Sequence, residues 1–480
     1  MKAIRRGIFL GVTLLLVSCS TGNSSQVSLV DRGDVAASFT STLTAESLPS
    51  ASSSTSVPTV ELTTTTTPVL LAAPPELDEN HCRIPQKNKR RNAFSTGFPV
   101  EVTNLSPEQE ISVVAVAIDW VDAPGTDADI AIGNSDIETF ATYLEEVSEG
   151  RLSFEITDAS KWYRLPEPTT AYPQDQRSSP NIKVAQAAID IADSDFDFQL
   201  YDIVIFVLPQ GAALPSGQPQ TPQNFADFHN FNEIPAGSSQ RLMSDEGWIR
   251  NYLGAGLYFD DSNRPAWSYY IHETGHMFGL PDWYLREGNM LFSPYQENPL
   301  MIPIGPMSTW SMMSTQDGPS RTFDAWARWL MGWITTEQVY CLDQLQVHTS
   351  DPFDIELLAL DQYEPGTKAL FIRTGENSGL GIESRRPVGL DENLMQWRRA
   401  GRNTQGIIVY RIDTTKGDAG GTLSLVTPIG RSVSYLPSTP PAIDALFALG
   451  DVAEVDGIRI ELIRSDDTDV VRLSSVLNNE

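Results

Sequence analysis

A chain of 480 residues with 41% apolar residues holds enough material for two or three cores. Its formal charge of -29 and pI near 4.4 argue against nucleic acid as a partner, because so acidic a surface repels phosphates and offers little counterion release. The acidity suits solubility outside the cell, with bound calcium as the sharper alternative.

The chain opens with MKAIRRGIFLGVTLLLVSCS, which sets Lys2, Arg5 and Arg6 before an apolar run from Ile8 to Val17 too short to stay as a membrane span. This predicts an export signal over residues 1–19. Its end, Leu16-Val17-Ser18-Cys19, resembles the bacterial lipobox, which implies lipidation of Cys19 and an anchor at a membrane surface outside the cytoplasm. A plain secretory signal with a chance cysteine is the alternative. Residues 20–75 are dominated by Ser, Thr and small residues and predict a disordered tether, open to O-glycosylation, because they cannot offset the entropy of ordering.

Cys82 and Cys341 remain. Two spare thiols in an exported chain pair most simply with each other, which would tie the segment leading from residue 76 to the end of the middle region. A Cys82 thiolate reaching a metal is the weaker alternative, since Cys341 already supplies a partner. Beyond Cys82, Lys87, Lys89, Arg90 and Arg91 cluster in QKNKRRN. A processing site would fit there, and a solvated charge cluster is the plainer account.

Folded structure is expected from Ile111, where SVVAVAIDW reads as a strand buried on both faces. In NSDIETFATYLEEVSEG, Ser135 three residues before Glu138 gives a capping box, apolar residues follow at helical spacing, and Gly150 is a stop. RLSFEITDASKWYRL alternates like a strand or hairpin, IKVAQAAIDIA predicts a second helix and YDIVIFVLP another buried strand. Alternating elements imply a mixed α/β layered domain over 76–340. A loop-rich stretch from Asn289 to Gly318 precedes a helix in FDAWARWLMGWI. From 341 to 480, FDIELLAL, KALFIRT, GIIVYRID, GTLSLVT and GIRIELIRS are short strands with turn residues between them. They predict a β-rich, sandwich-like C-terminal domain, and the fold class is α+β.

The densest chemistry lies in SYYIHETGHMFGLPDWY. Residues four apart share a helix face, so His272 and His276 can present ring nitrogens to one ion. Glu273 falls beside them, placed to take a proton from a zinc-bound water whose pKa is brought towards about 7. A catalytic zinc needs a third protein ligand. Gly279 can turn the chain at the helix end, Pro281 prevents the helix from resuming, and Asp282 can swing its carboxylate under the ion. Glu297 is a rival third ligand, but prolines in PYQENPLMIP spoil a helix there. A buried helix whose histidines merely hydrogen-bond is the bland account. His81, His229 and His348 have no partner at ligand spacing and read as surface or loop residues.

HETGHMFGLPDWY, followed by Trp310-Ser311-Met312-Met313 and ARWLMGWI, resembles the immune inhibitor A family of bacterial zinc metallopeptidases, which belongs among the metzincins. IESRRPVGLDENL and GIIVYRID are similar to the β-rich segment downstream of the family's catalytic domain. The resemblance runs from about Ile111 to the C-terminal strands. It implies a metzincin-like catalytic domain with zinc on His272, His276 and Asp282, Glu273 as general base, and a tight turn beneath the metal at Trp310 and Met313. For that pair alone, ordinary core packing is the plainer account. Ser311 and Arg328 depart from the family's aspartate and lysine. Structural calcium is common in the family and would suit acidic loops such as DWVDAPGTDAD, for which solvated acids are the alternative.

The expected protein is therefore a surface-anchored zinc endopeptidase acting on extracellular proteins. A lipid-anchored binding or adhesion module with a structural zinc is the alternative, and a hydrolase of bonds other than peptides stays open.

Overall fold

The computed structural model describes residues 70–87, 94–100, 104–171, 180–209, 225–228, 241–254, 260–261, 264–284, 307–314, 320–395, 401–417, 420–431 and 443–477. The expected signal with Cys19, the tether to residue 69, positions 88–93 of the basic run, His229, Glu297 and much of the 289–318 loop lie outside them. The described residues fall in one compact unit, 68–480. They are mixed α and β, with several sheets.

After a single turn of helix, α1 (Glu79–Cys82), comes β1 (Glu110–Asp119). Helix α2 (Asp127–Val147), β2 (Ser153–Thr157), β3 (Trp162–Arg164), α3 (Pro180–Ala192), β4 (Ile203–Val207) and β5 (Phe225–Phe228) follow. Two short hairpin pieces, β6 (Leu242–Met243) and β7 (Trp248–Ile249), precede β8 (Asn251–Gly254). The pair β9 (Asp260–Asp261) and β10 (Arg264–Pro265) leads into α4 (Ala266–Met277).

The first sheet has the order β2-β1-β4-β8-β5, with β3 also paired to β1. Every pairing is parallel except β5 with β8. Strand β1 is buried on both faces, as its apolar run predicts. Val113, Ala115 and Ala117 point into one core with residues of α2 and α4, and Val114, Val116 and Ile118 into another with α3. Helix α2 lies so close to β4 that a Cβ on Gly133 would come within 2.3 Å of Val207.

Three sequence expectations are corrected here. Helix α2 starts earlier than Ser135. Thr126 is its N-cap, bonded reciprocally with Asp129 in a capping box at 2.7 and 3.3 Å, so a second box upstream outranks the Ser135–Glu138 pair, and such a cap contributes about 1 kcal/mol. The ordered fold also begins before Ile111. Cys82, Ile84, Phe94 and Leu105 are buried, and a disulfide joins Cys82 to Cys341, 259 residues apart, with Cα atoms 5.8 Å apart. This leading segment has little periodicity of its own, and long-range packing and a cross-link order it. Residues 151–165 form two strands that each pair with β1 rather than a hairpin with each other.

Helix α5 (Ala325–Leu330), β11 (Val339–Asp343) and α6 (Gln344–Thr349) open the C-terminal part, so the expected boundary at 341 falls within a strand. Then come β12 (Phe353–Leu357), β13 (Ala369–Arg373), β14 (Ser378–Arg385), β15 (Gly406–Asp413), β16 (Leu423–Val426), β17 (Val452–Val455), β18 (Ile458–Ser465) and β19 (Asp469–Ser475). They make a five-stranded sheet, β11-β13-β14-β15-β16, and a four-stranded sheet, β12-β19-β18-β17. Alternate residues of both, among them Leu370, Ile382, Val409, Ile355, Ile460 and Leu473, share one apolar core.

The other face of the five-stranded sheet is buried as well. Phe371, Ile408 and Tyr410 join the core that includes α4 and α5, and Trp329 stacks on Phe371 at 4.8 Å and 9°. This face brings β14 against the segment beneath α4. No helix among the described residues is long and apolar enough to cross a membrane.

Candidate metal centre

Helix α4 carries His272 and His276 one turn apart, both almost fully buried. It ends as expected: Gly279 takes a φ of +102°, and the amides of Gly279 and Leu280 bond the carbonyls of His276 and Gly275 at 2.9 and 3.0 Å. The chain then doubles back. It delivers Asp282, 1% exposed, with Oδ1 at 3.3 Å from His272 Nε2 and 3.1 Å from His276 Nε2. Ligand atoms of the three residues lie within 4.8 Å of one another, the one such group among the described residues.

The outer nitrogens are fixed by the main chain. His272 Nδ1 meets the Met312 carbonyl at 2.7 Å and His276 Nδ1 meets the Leu280 carbonyl at 2.8 Å. A carbonyl oxygen only accepts, so both Nδ1 atoms carry hydrogen and both Nε2 atoms are turned towards Asp282. Phe94 packs its ring 5.1 Å from that of His276.

The segment containing Trp310 and Met313 lies against this helix. Residues Ser308–Trp310 form a 3-10 turn, the Met312 amide bonds the Thr322 carbonyl at 3.2 Å, and the Trp283 amide bonds the Met313 carbonyl at 2.8 Å. The turn therefore touches His272 directly and the residue after Asp282. A Cβ on Gly275 would come within 2.5 Å of Met313 Sδ, so the glycine inside HETGH lets the thioether approach the helix.

Electrostatics favour an ionised carboxylate here. Burial opposes the charge of Asp282, but the two imidazoles outweigh it and hold the carboxyl well below its usual range. Burial likewise opposes a charged His276, yet Asp282 raises its imidazole to about 9. An anion this buried calls for positive charge at the Nε2 atoms, and two imidazole nitrogens with one carboxylate oxygen are a donor set that zinc accepts. Glu273 neighbours the group and bonds the Tyr269 hydroxyl. Burial pushes its carboxyl above the ordinary range against the opposing pull of His272 and His276.

The structure thus brings together His272, His276, Asp282, Gly279 and Met313, with Glu273 adjacent in α4 and Trp310 buried in the same turn. Cys82 and Cys341 are joined to each other rather than to this group. His81 is half-buried in α1 and lies 3.6 Å from Asp343. Three of the four acids of DWVDAPGTDAD are engaged by protein donors: Asp119 by Arg164 and the Gly125 amide, Asp122 by Thr169, and Asp129 by the N-terminus of α2. Gly275, Tyr269 and Phe94 were not singled out from the sequence. Only Gly275 carried a signal there, as a glycine inside a helix.

No protein-family model matches the chain, and no curated protein matches it.

Proposed function

We propose that the chain is a zinc endopeptidase of metzincin type, similar to the immune inhibitor A family, exported and tethered to a membrane surface through Cys19. The observation that carries this reading is the convergence of His272 Nε2, His276 Nε2 and Asp282 Oδ1, with Glu273 next in the same helix. These three residues would hold the ion. When bound, zinc would supply a Lewis acid that polarises a carbonyl and acidifies water.

The chain's own residues would do the rest. Glu273, its carboxyl lifted by burial, would accept the proton of the attacking water and return it to the leaving amine. Main-chain carbonyls of Met312 and Leu280 keep both imidazoles in one tautomer. Among the described residues the donor set has three members, which supports catalysis over the alternative of an adhesion module with structural zinc, because structural zinc sites are normally closed by four protein ligands.

The test is hydrolysis of casein by the full chain, with and without a zinc chelator. Cleavage should stop with the chelator and return with added zinc. Cleavage indifferent to the chelator, or none from a folded, zinc-loaded chain, would count against the reading.

A further inference from the structure

We infer that Arg385, on strand β14 of the C-terminal sheets, is a positioning residue of the metal centre. This rests on the reading of His272, His276 and Asp282 as zinc ligands. The side chain of Arg385 is wholly buried. Its Nε donates to Glu383 Oε1 at 2.7 Å, one terminal nitrogen donates to Ser320 Oγ at 2.9 Å and Asp391 Oδ2 at 3.0 Å, and the other donates to the Trp310 carbonyl at 2.8 Å. The last contact holds the turn whose Met312 carbonyl fixes His272.

Glu383 extends the hold. Its second oxygen accepts from the Ala325 amide at 2.6 Å and the Tyr410 hydroxyl at 3.0 Å. Asp324, just before Ala325, caps α5 through the Ala327 amide and accepts from Ser311 Oγ at 2.7 Å, and that same Oγ accepts the Met313 amide at 3.2 Å. Arg385 therefore holds the 310–313 turn directly at Trp310, Glu383 reaches its Ser311–Met313 end only through the Asp324–Ala325 segment, and the turn in turn contacts His272 and Trp283.

Buried charges of this kind are costly to desolvate, and well-packed apolar residues often serve stability as well or better. What the fork supplies that apolar packing does not is a fixed direction for one carbonyl. Groups that bond a metal ligand directly, here the Met312 carbonyl, typically govern affinity by about 10–100-fold, and Arg385 acts one step further out, through the turn that carries that carbonyl.

The test uses the full chain and needs no activity. Zinc affinity is measured by chelator competition, and the cobalt(II) derivative is examined for its visible d–d bands, for wild type, Arg385→Lys, Ser311→Ala and Arg386→Lys. Arg385→Lys keeps the charge but loses the fork, and should bind zinc up to about 10-fold more weakly with altered cobalt bands. Ser311→Ala, a gentler change that keeps the inference testable if Arg385→Lys does not fold, should lose affinity several-fold. Arg386 is the control: it binds Asp469 and the Asp466 carbonyl instead, and Arg386→Lys should match wild type. Wild-type affinity and cobalt bands in the folded Arg385→Lys and Ser311→Ala proteins would overturn the inference, as would an equal loss in Arg386→Lys. A wild-type chain that takes up no zinc would instead remove the metal reading on which it rests.

Discussion

Around Arg385 and Arg328, three buried carboxylates meet a guanidinium, Glu383 and Asp391 at Arg385 and Asp361 at Arg328, while Asp324 is answered by the Ser311 hydroxyl and the Ala327 amide. Around Asp282 the neighbours are two imidazoles whose other nitrogens are already committed to main-chain carbonyls. The first cluster carries its own permanent cations. Among the described residues, the second has positive charge only if a histidine holds a proton or an ion arrives. Burial alone therefore does not mark a functional carboxylate. What separates the two is whether a fixed cation already answers it.

The largest effect is expected from breaking the arginine-closed cluster. Arg328→Ala would leave Asp361 buried with only the Thr322 hydroxyl, at 3.0 Å, from that group. The protein should lose about 3–5 kcal/mol in urea unfolding. An unchanged midpoint would show that Arg328 does not close this cluster. Breaking the other cluster should read out in metal instead. Asp282→Ala should weaken zinc binding by more than the roughly 100-fold that a supporting group can cost, measured by chelator competition, and retention of wild-type affinity would remove Asp282 from the ligand set.

How far the sequence reached differs between the clusters in the same way. His272, His276 and Asp282 were legible because helix period and one glycine turn bring them together over eleven residues. The arginine cluster was not, since Trp310, Ala325 and Arg385 meet only when β14 packs beneath the turn, and no local pattern records that. The leading segment was missed for a similar reason, although its disulfide followed from counting thiols. Strand β14 shows the limit of pattern: SGLGIESR lacks clean alternation because both faces are buried, one by apolar neighbours and one by ion pairs.

A smaller change probes where the metal group meets the turn. Gly275→Ala would force a methyl onto Met313 Sδ and should cost about 1–3 kcal/mol, together with several-fold weaker zinc binding. Adding Met313→Ala should recover part of the affinity. If Gly275→Ala binds and unfolds as wild type, the close approach has no consequence.

The smallest effect concerns pH. Burial, outweighing the opposing Arg385, raises Asp391 from 3.8 to about 6. Between those values the folded protein keeps a proton that the unfolded chain releases, so this contribution to stability is full below about pH 4 and is lost as pH rises through about 6. Across that window wild type should lose about 1–3 kcal/mol relative to Asp391→Asn, read from urea midpoints at each pH. A difference independent of pH would mean that Asp391 does not titrate there.

The most direct measurement is the pair of zinc content and casein hydrolysis for Glu273→Ala. The substitution removes the proposed base and leaves His272, His276 and Asp282 in place. The protein should hold as much zinc as wild type and hydrolyse at least about 100-fold more slowly. Hydrolysis at the wild-type rate by the zinc-loaded variant would contradict the assignment of Glu273 and the peptidase mechanism built on it.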